Sequence, residues 1–435
     1  MAQTHRRPRT ASAPPGLRAV PADPAGRRGV PVPRGADAPA RRPLAGRRIA
    51  LVNWRDPWQS VAGGAEEYAW RMARHLTGQG AEVVFVTSRE RGQPARERRA
   101  GVSFRRMGGA YTVYPLVLLW LLRHRRRFDA VVDCMNGIPF FSPLVLPRRT
   151  PVVSVVHHVH DLQFNAYFSR PVAWLGRFIE GPVASRLYRR CTTVTVSESS
   201  RRALRAKLGW RAPITVIRNG APAVQRLDTA APPADLGSPA LVSLGRLVVQ
   251  KRVVRIVDAA AELSGDWPGL RVHVIGRGPE SVPLRERIAE HGLGGRVRMH
   301  GFLPEREKNT LLSRCLLHVT ASEFEGWGLT VIEAAALGVP TVAYDVDGLR
   351  DSVWDGVTGW LVREGETLSE VVGRALAELA DPVRAAAVRQ ACRDWAKRFT
   401  WERSGREMTT LLAAEIAGRE RPGRSRAGRS RGAPG

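Results

Sequence analysis

The sequence predicts an α/β protein built from two parallel-sheet domains. Short apolar runs alternate with longer amphipathic stretches from residue 48 onward. The apolar runs are continuous rather than alternating, which is typical of strands covered by helices on both faces. The alternation occurs as two series separated by a segment rich in Pro and Ala, and 435 residues are enough for two domains.

The first series of strands and helices is predicted to fill residues 46–220. Its first strand precedes an amphipathic helix at 64–80 that ends in glycine, a common helix terminator. Ser197 is a suitable N-cap for a later helix of this series. The strand-like runs are RIALVNW at 48–54, EVVFVTS at 82–88, FDAVVDC at 128–134, PVVSVVH at 151–157, CTTVTVS at 191–197 and PITVIRNG at 213–220.

The second series is predicted to fill residues 239–395. Residues 221–238 are predicted to be an interdomain linker, because they are rich in Pro and Ala and lack apolar periodicity. Ligands bind at the carboxyl ends of parallel strands, so two such sheets predict a site in the cleft between them. The strand-like runs are ALVSLG at 240–245, LRVHVIG at 270–276, RVRMHGF at 296–302, CLLHVTA at 315–321 and PTVAYD at 340–345.

Both ends of the chain are predicted to be disordered basic tails. Residues 1–45 and 417–435 are rich in Arg, Pro, Gly and Ala, and they cannot bury enough surface to fold. The first 48 residues carry a net charge of +9 and the last 18 a net charge of +5, which is half of the total of +28. Only four of the 68 basic residues are Lys, and no aromatic residues alternate with the basic runs. The charge therefore does not indicate a nucleic-acid partner.

The sequence predicts a cytoplasmic protein. It shows no apolar signal segment at the N-terminus and no run of the ~20 apolar residues that span a bilayer, and its four cysteines are widely spaced. The segment YTVYPLVLLWLLRHRRRF at 111–128 combines an apolar run with a basic end. It suits an interfacial helix on an anionic membrane surface, which would make the protein peripheral to the inner face of the membrane. A buried helix of the first domain is the alternative, which the length of the run favours.

Two cationic residues follow the first strand of the second series. Arg246 and Lys251 lie five positions apart in GRLVVQKR, at a turn into a helix. Two cations beside a helix start suit an anion such as a diphosphate, and a solvated basic loop is the alternative. Lys251 is one of four lysines in a chain that uses Arg by default, which favours the functional interpretation.

Glycines at two other strand–helix turns can let backbone amides approach an anion. Gly63 and Gly64 follow the first strand and open a helix, and Gly276 follows a strand in VIGRGP. The second turn lacks the third glycine of a dinucleotide fingerprint, so a plain strand–helix turn is the simpler interpretation there.

Three histidines cluster at the end of the strand at 151–157. His157 and His158 point to opposite faces of an extended chain, so they cannot converge with His160 without a bend. We interpret one of them as an active-site residue, with strand-end packing as the alternative, and we predict no metal site. The acidic pair Asp345 and Asp347 is interpreted as part of a turn.

The stretch SEFEGWGLTVIEAAALG places Glu325 and Glu333 eight positions apart. Its glycines predict a helix start near Gly328, with Glu325 in the loop before it. Such a helix presents free N–H groups to an anion, and carboxylates beside it can accept hydrogen bonds from hydroxyls. A sugar nucleotide matches this arrangement, because its diphosphate lies between two groups rich in hydroxyls. A capping Glu325 and a solvated Glu333 are the alternative.

The stretch EFEGWGLTVIEAAALGVPTVA resembles the Glu-x7-Glu motif of the retaining glycosyltransferases of family four, also called glycosyl transferases group 1. The match extends in the family's order over roughly residues 48–415. It implies the GT-B fold, in which two Rossmann-like β/α/β domains face a central cleft, and a C-terminal helix at 396–416 that packs back on the N-terminal domain. The other matching segments are GGAEEYAWRMARHLTGQGAEV, VTVSESSRRAL, ITVIRNGA, SLGRLVVQKR and DGVTGWLV.

The resemblance also implies roles for individual residues. Arg246 and Lys251 would bind the donor diphosphate, and Glu333 would bind the ribose hydroxyls. Glu325 would lie beside the donor sugar. His157 would be the family's histidine near the donor sugar and the acceptor, with His158 and His160 as alternatives. The implied catalytic residues are Glu325, His157, Arg246 and Lys251, and the implied donor-binding residues are Gly63, Gly64, Gly245, Arg246, Lys251, Gly276, Glu325, Gly326, Trp327, Gly328, Leu329 and Glu333.

The implied activity is transfer of a hexose from a nucleotide-sugar donor, such as a UDP- or GDP-hexose, to a hydroxyl acceptor. The resemblance implies retention of the anomeric configuration and no metal or cofactor. It does not indicate whether the acceptor is a glycan, a lipid or a small molecule. Two alternatives stay open: a sugar-nucleotide epimerase with the same fold, and a non-catalytic basic binding protein that acts through its tails. One departure from the family pattern, Asp347, lies in a loop implied to approach the donor sugar.

Overall fold

The computed structural model describes residues 42–161, 163–221 and 238–420. They form two sheets, each covered by helices, and every strand predicted from an apolar run is present. The strands of the N-terminal domain are β1 (Arg48–Val52), β2 (Glu82–Thr87), β3 (Arg96–Arg99), β4 (Val102–Arg106), β5 (Ala130–Met135), β6 (Val152–Val156), β7 (Thr192–Thr195) and β8 (Ile214–Val216). Its helices are α1 (Gly64–Gly78), α2 (Val113–His124), α3 (Gln163–Tyr167), α4 (Arg170–Phe178), α5 (Ala184–Leu187) and α6 (Glu198–Leu208), with a π-helical turn at Ile179–Val183.

The C-terminal domain repeats the same alternation. Its strands are β9 (Ala240–Leu244), β10 (Arg271–Ile275), β11 (Val297–Gly301), β12 (Leu317–Thr320), β13 (Thr341–Tyr344) and β14 (Gly359–Val362). Its helices are α7 (Val254–Glu262), α8 (Ser281–Glu290), α9 (Glu305–Arg314), α10 (Leu329–Ala336), α11 (Leu349–Ser352), α12 (Leu368–Leu379) and α13 (Pro382–Ala396), and α14 (Trp401–Glu420) ends the described chain.

The strand orders are those of two doubly wound sheets. The N-terminal sheet runs β3-β4-β2-β1-β5-β6-β7-β8, and the C-terminal sheet runs β11-β10-β9-β12-β13-β14. The strands pair in parallel except for β3, which is antiparallel to β4 at the sheet edge. Three of the described strands were not predicted: β4, β14 and β3, whose residues, RERR, carry no apolar signal. Charged residues are common on edge strands, where they discourage pairing with other chains.

Residues of β1 show why the strands occur in the sequence as continuous apolar runs. Ile49 and Leu51 pack into one hydrophobic cluster, whereas Ala50 and Val52 pack into another. Because alternate side chains of a strand point to opposite faces, both faces of the sheet are covered.

Helix α14 belongs to the N-terminal domain, although it follows the C-terminal one in the chain. Gly405 approaches α1 so closely that a Cβ on it would lie 2.2 Å from the His75 ring. The residues of α14 buried in the same cluster as β1 are Trp401, Met408, Leu412 and Ile416. The helix therefore packs back across the molecule, as the resemblance implied.

Two predicted tail boundaries are wrong by a few residues. Leu44, predicted to be in the N-terminal tail, is fully buried in the N-terminal core. At the other end, α14 extends past the predicted 416 to Glu420, whose carboxylate pairs with Arg47 at 2.6 Å. The remaining parts of the predicted tails, residues 1–41 and 421–435, and residues 222–237 of the predicted linker lie outside the described residues.

Helix α2 lies on the surface with one face buried and one exposed. Val113, Val117 and Leu121 are buried in the core of the first domain, so one face of α2 agrees with the prediction of a buried helix. The large apolar residues on its exposed face are Leu116, Leu119 and Leu122. Within the three described ranges, no helix combines the length and the apolar character that crossing a bilayer requires.

Candidate active site

The start of α1 contacts two elements of the C-terminal domain. A Cβ on Gly63 would lie 3.3 Å from Nε of Arg246, and one on Gly64 would lie 2.9 Å from Cδ1 of Leu329. Arg246 also donates a hydrogen bond to the carbonyl oxygen of Val61 at 3.3 Å. Arg246 and the first residue of α10 therefore meet one turn of the N-terminal domain across the cleft.

Helix α10 begins at Leu329, where the glycines predicted it. Gly328 caps it with a left-handed backbone (φ +86°), and a Cβ there would lie 2.9 Å from Oγ of Ser352. The Trp327 side chain is buried and packs edge-on against Phe399 at 4.9 Å. Trp327 can thus contribute only backbone to the cleft, as can the glycines beside it.

Each glutamate of the motif pairs with a lysine. Lys251 Nζ lies 2.5 Å from Glu325, and Lys308 Nζ lies 2.8 Å from Glu333 and 3.1 Å from Glu305. Burial raises the pKa of Glu333, and the positive charge of Lys308 opposes that rise. The sequence analysis missed Lys308, although the scarcity of lysine that drew attention to Lys251 applies equally to it.

A second arginine lies beside Arg246. Arg55, which follows β1, donates to the same Val61 carbonyl oxygen at 3.2 Å. Its Nε is buried without a hydrogen-bond partner, 3.3 Å from a carboxylate oxygen of Glu66 but in poor geometry. Burial lowers the pKa of Arg55, and the charge of Arg246 lowers it further. Two guanidinium groups thus share one carbonyl oxygen, and their positive charge can be neutralised by an anion. No sequence feature distinguished Arg55 in a chain so rich in arginine.

Two of the predicted donor-binding glycines pack against each other. A Cβ on Gly276 would lie 1.8 Å from the carbonyl oxygen of Gly245, and one on Gly278 would lie 2.0 Å from that of Leu247. The turns after β9 and β10 can approach this closely only because no side chain separates them. The space beside Gly276 is therefore filled by protein, which agrees with its interpretation as a plain turn.

The ring of His157 lies in the N-terminal core. It is buried edge-on against Tyr68 at 4.9 Å, and burial lowers its pKa to about 4. Its backbone, however, reaches the C-terminal domain, because a Cβ on Gly326 would lie 2.6 Å from the His157 carbonyl oxygen. That oxygen also accepts a hydrogen bond from Ser200 at 2.9 Å. The predicted catalytic residue is thus a neutral histidine that meets the Glu325 loop through its backbone.

The half-buried rings of the cluster are those of His158 and His160. Their centroids lie 4.2 Å apart, and Nε2 of His158 lies 3.3 Å from Oε1 of Gln163. Burial, the neighbouring His160 and, to a smaller extent, Lys251 lower the pKa of His158. The rings of His158 and His160 lie together and that of His157 packs elsewhere, against Tyr68, which agrees with the alternation of an extended strand. Of the three histidines, these two are the better placed to meet a ligand near Lys251.

The acidic pair at Asp345 and Asp347 belongs to a turn, as the sequence indicated. Asp345 pairs with Arg350 at 2.9 Å. Gly348 packs under the Glu325 loop, since a Cβ there would lie 2.4 Å from the Glu325 carbonyl oxygen. No group of three His, Cys, Asp or Glu side chains within the described ranges comes together as a metal site would require.

The assembled cleft joins positive charge to groups that bind hydroxyls. Two arginines, a lysine and the N-termini of α1 and α10 converge where the domains meet, and such groups stabilise a phosphate or diphosphate. Two carboxylates, Glu325 and Glu333, pair with lysines at this cleft, and Lys251 acts electrostatically on His158. This arrangement suits a ligand whose negative centre lies between hydroxyl-bearing groups.

Comparison with known proteins places both domains in one family. Residues 62–223 match the family described as Glycosyltransferase Family 4, and residues 225–394 match Glycosyl transferases group 1. The chain is 30% identical over 348 residues to the D-inositol 3-phosphate glycosyltransferase of Nocardia farcinica, covering 72% of this chain and 76% of that protein. It is 26% identical over 284 residues to the alpha-D-kanosaminyltransferase of Streptomyces kanamyceticus, covering 60% and 72%.

Solved structures share the architecture at low sequence identity. Sucrose-phosphate synthase from Thermosynechococcus elongatus superposes with a TM-score of 0.71 and 20% identity, covering 86% of this chain and 100% of that one. HepE of Anabaena, in complex with UDP and glucose, superposes with a TM-score of 0.65 and 20% identity, covering 85% and 100%. The chain therefore belongs to the family 4 glycosyltransferases and has their GT-B fold.

Proposed function

We propose that the protein transfers a hexose from a nucleotide-sugar donor to a hydroxyl acceptor, with retention of the anomeric configuration and without a metal ion or cofactor. The observation that carries the proposal is the meeting of Arg246 and the start of α10 at Gly63 and Gly64. A guanidinium group and a helix N-terminus around one gap favour a diphosphate. Lys251 lies on the same side of the cleft and can exchange its partner Glu325 for a phosphate oxygen.

The proposed reaction breaks the bond between the anomeric carbon and the diphosphate oxygen. The acceptor oxygen forms the new bond on the same face of the sugar, and its proton passes to the departing diphosphate. The negative charge that develops on the leaving group is stabilised by Arg246, Lys251 and the first amides of α10. These fixed positive groups supply the charge that a divalent ion supplies in other transferases.

Two carboxylates are proposed to bind the rest of the donor. Glu333 accepts hydrogen bonds from the ribose hydroxyls, since Lys308 occupies only its Oε2 oxygen. Glu325 accepts hydrogen bonds from the transferred sugar once Lys251 turns to the diphosphate. A nucleotide-sugar donor is in keeping with HepE of Anabaena, a protein of the same fold that has been solved in complex with UDP and glucose.

Substitution of Arg246 tests the proposal. We expect Arg246→Ala to stay folded and to abolish turnover, because the diphosphate loses its main cation. In the wild type, one nucleoside diphosphate from a panel should raise the melting temperature by mass action, and this shift should disappear in the variant. Arg255→Ala is the control, because Arg255 is an exposed arginine on neighbouring α7. Wild-type turnover in Arg246→Ala would show that the assignment is wrong.

The two alternative functions predict different results. An epimerase would convert a nucleotide sugar without an acceptor, so incubation with the donor alone distinguishes it from a transferase. A binding protein that acts through its basic ends would lose function when residues 1–41 and 421–435 are deleted, whereas a transferase would keep its activity. Family membership favours the transferase.

We also propose that the N-terminal domain rests on an anionic membrane surface. The exposed face of α2 leads into four exposed arginines, at positions 123 and 125–127. Helix α4 is likewise apolar on its outer side: Ala173 and Gly176 face the protein, whereas Trp174 is 60% exposed. The other exposed apolar residues of α4 are Val172, Leu175 and Phe178. Apolar helices flanked by arginine suit the interface of a bilayer with anionic lipids.

Sedimentation with vesicles tests this surface. The wild type should sediment with vesicles of phosphatidylcholine and phosphatidylglycerol, and less with phosphatidylcholine alone. Leu119→Glu should lower the bound fraction by about threefold or more, because it places a charge in the apolar face. Val282→Glu is the control, because Val282 lies on α8 of the C-terminal domain and is about as exposed as Leu119. This variant should bind the vesicles as the wild type does. Equal binding of both variants, or none by the wild type, would refute the membrane proposal.

A further inference from the structure

A buried carboxylate holds one of the cleft histidines in place. Glu180 is 1% exposed and lies in the π-helical turn Ile179–Val183, which follows α4. Its carboxylate lies 2.9 Å from Nδ1 of His160 and accepts the backbone N–H groups of His160 at 3.0 Å and of Asp161 at 3.2 Å. π-Helical turns are uncommon and occur frequently at functional sites. This turn places Glu180 against the loop that contains His160, which lies twenty positions earlier in the chain.

The contact between the two side chains fixes the tautomer of His160. An ionised carboxylate can only accept hydrogen bonds, so Nδ1 of the ring must carry the hydrogen. In the neutral ring, Nε2 then carries the lone pair and can accept a hydrogen bond. The side chain of His160 is still 19% exposed. Its contact with Glu180 therefore does more than fill the core.

The ring of His160 lies beside the groups that form the cleft. It stacks on His158 at 4.2 Å, and the positive charge of Lys251 contributes to the electrostatic surroundings of His158. The same loop meets the Glu325 loop where Gly326 packs on the His157 carbonyl group. A hydroxyl bound near Glu325 is therefore within the neighbourhood of His160.

We propose that Glu180 is a positioning residue, which keeps the hydrogen of His160 on Nδ1 so that Nε2 accepts a hydrogen bond from a substrate hydroxyl. The inference rests on the proposed function, because the hydroxyl belongs to the transferred sugar or to the acceptor. Glu180 does not touch the substrate. Its effect passes through His160, as the buried carboxylate of a catalytic triad acts through its histidine.

The variant Glu180→Gln distinguishes control of the His160 tautomer from a purely structural role of Glu180 in the loop. Glu180→Gln keeps the size of the side chain and a carbonyl oxygen that can accept the backbone N–H groups. Its amide N–H₂ can donate to Nδ1, which moves the ring hydrogen to Nε2 and turns that atom from an acceptor into a donor. A purely structural role would be largely preserved in this variant.

The tautomer itself can be measured without any substitution at Glu180. In the full chain labelled with ¹⁵N-histidine, the signals of His160 are identified by their loss in His160→Gln. We expect the wild type at neutral pH to show hydrogen on Nδ1 and a lone pair on Nε2. Hydrogen on Nε2 of the wild-type ring would overturn the inference.

The kinetic test follows release of the nucleoside diphosphate from UDP-glucose and GDP-mannose. We expect Glu180→Gln to lower kcat by about tenfold or more, with the KM of the donor within about twofold, because a hydrogen bond that acts mainly in the transition state affects kcat more than binding. His160→Gln should lower kcat comparably, and the double variant should lose little more, since the two residues act as a unit.

Asp258→Asn is the matched control. Asp258 accepts a hydrogen bond from His291 at 3.0 Å, so it forms a second histidine–carboxylate pair, on α7 of the C-terminal domain. This variant should keep wild-type kcat. Wild-type kcat in Glu180→Gln would overturn the inference. If the wild type neither binds nor turns over any nucleotide sugar, the proposed function fails instead, and the tautomer measurement still decides whether Glu180 sets the state of His160.

Discussion

Lys308 and Glu333 form an ion pair, and a Glu333 carboxylate buried without this partner would be energetically unfavourable. Burial raises the pKa of Glu333, and Lys308, itself largely buried, opposes that rise. An unpaired buried carboxylate tends to take up a proton, and a protonated acid accepts hydrogen bonds from hydroxyls less well. Lys308 therefore keeps Glu333 in the form that the proposed ribose contact needs.

Substitution of Lys308 should remove discrimination between ribose and deoxyribose. In the wild type we expect a nucleoside diphosphate to bind about tenfold or more tightly than its 2′-deoxy analogue, as one hydrogen bond to a charged group implies. In Lys308→Met this ratio should fall towards one, measured by calorimetric titration of both compounds. Lys397→Met is the control, because Lys397 pairs with Asp394 on the protein surface. An unchanged ratio in Lys308→Met would contradict the role given to the pair.

Arg55 should contribute to anion binding together with Arg246. Both guanidinium groups reach the Val61 carbonyl oxygen, and a diphosphate between them would relieve their mutual repulsion. We expect Arg55→Gln to weaken binding of the nucleoside diphosphate by about tenfold or more, with a smaller effect on the nucleoside. Arg55 lies over the ring of Trp54 at 4.0 Å. Arg99→Gln is the control, because Arg99, on the edge strand β3, lies in the same way over the ring of Trp58 at 4.2 Å. Equal affinities of the two variants would exclude Arg55 from the site.

At the scale of elements, a buried ion pair holds the loop between β1 and α1. The Asp56 carboxylate lies 2.5 Å from Arg106 on β4, and both side chains are almost completely buried. This loop carries Arg55 at one end and the Gly63–Gly64 turn at the other. The pair thus connects the stability of the sheet edge to the geometry of the cleft.

Removal of Asp56 should destabilise the protein strongly. Asp56→Ala leaves the Arg106 charge buried with Glu97 at 2.8 Å and the Pro94 carbonyl oxygen at 3.1 Å as its remaining partners. We expect a loss of about 3 kcal/mol in the free energy of unfolding, towards the lower end of the cost of breaking a buried pair, measured by urea denaturation. Asp394→Ala removes an exposed carboxylate and should shift the denaturation midpoint far less. A midpoint shift no larger than that of the control would contradict this account of the loop.

The sequence predicted elements well where a local pattern decided them. Continuous apolar runs located eleven of the fourteen described strands, and the glycines located the start of α10. The missed strand β3 shows the limit, because its pairing with β4 depends on the neighbouring strand and not on its own residues. The ion pairs show the same limit, since Lys251 lies 74 positions from Glu325 and Lys308 lies 25 from Glu333.

Side-chain direction was the least predictable feature of the candidate site. Family resemblance favoured His157, but its ring is buried against Tyr68 of α1, a contact that the local sequence does not reveal. The buried partner of His160, Glu180, lies on a separate helical segment and left no signal in the sequence. Both depend on contacts between segments, which local periodicity cannot reveal.

At the scale of the whole molecule, buried neutral histidines should make stability depend on pH. Burial lowers the pKa of His157 to about 4 and of His318 to about 3, from an ordinary value of 6.5. Between those values the unfolded chain binds more protons than the folded one, so the free energy of unfolding falls as the pH falls below about 6.5. Above that pH these histidines add no pH dependence.

Replacement of His318 should reduce this dependence. Between about pH 7.5 and about pH 5, the wild type should lose roughly 2 kcal/mol of stability for each fully buried histidine. Over the same pH interval, His318→Gln should lose roughly 2 kcal/mol less stability than the wild type, whatever its stability at neutral pH. Urea denaturation at the two pH values measures this difference. An identical pH dependence in wild type and variant would show that His318 is protonated in the folded state.

The central claim also belongs to this scale: the two domains bind one diphosphate between them. A crystal structure of the protein with UDP or GDP tests it most directly. The account predicts phosphate oxygens within hydrogen-bonding distance of Arg246, Lys251 and the first amide of α10, with Gly63 and Gly64 on the opposite side. A diphosphate bound on another surface, with Arg246 still donating to Val61 and Lys251 still paired with Glu325, would contradict it.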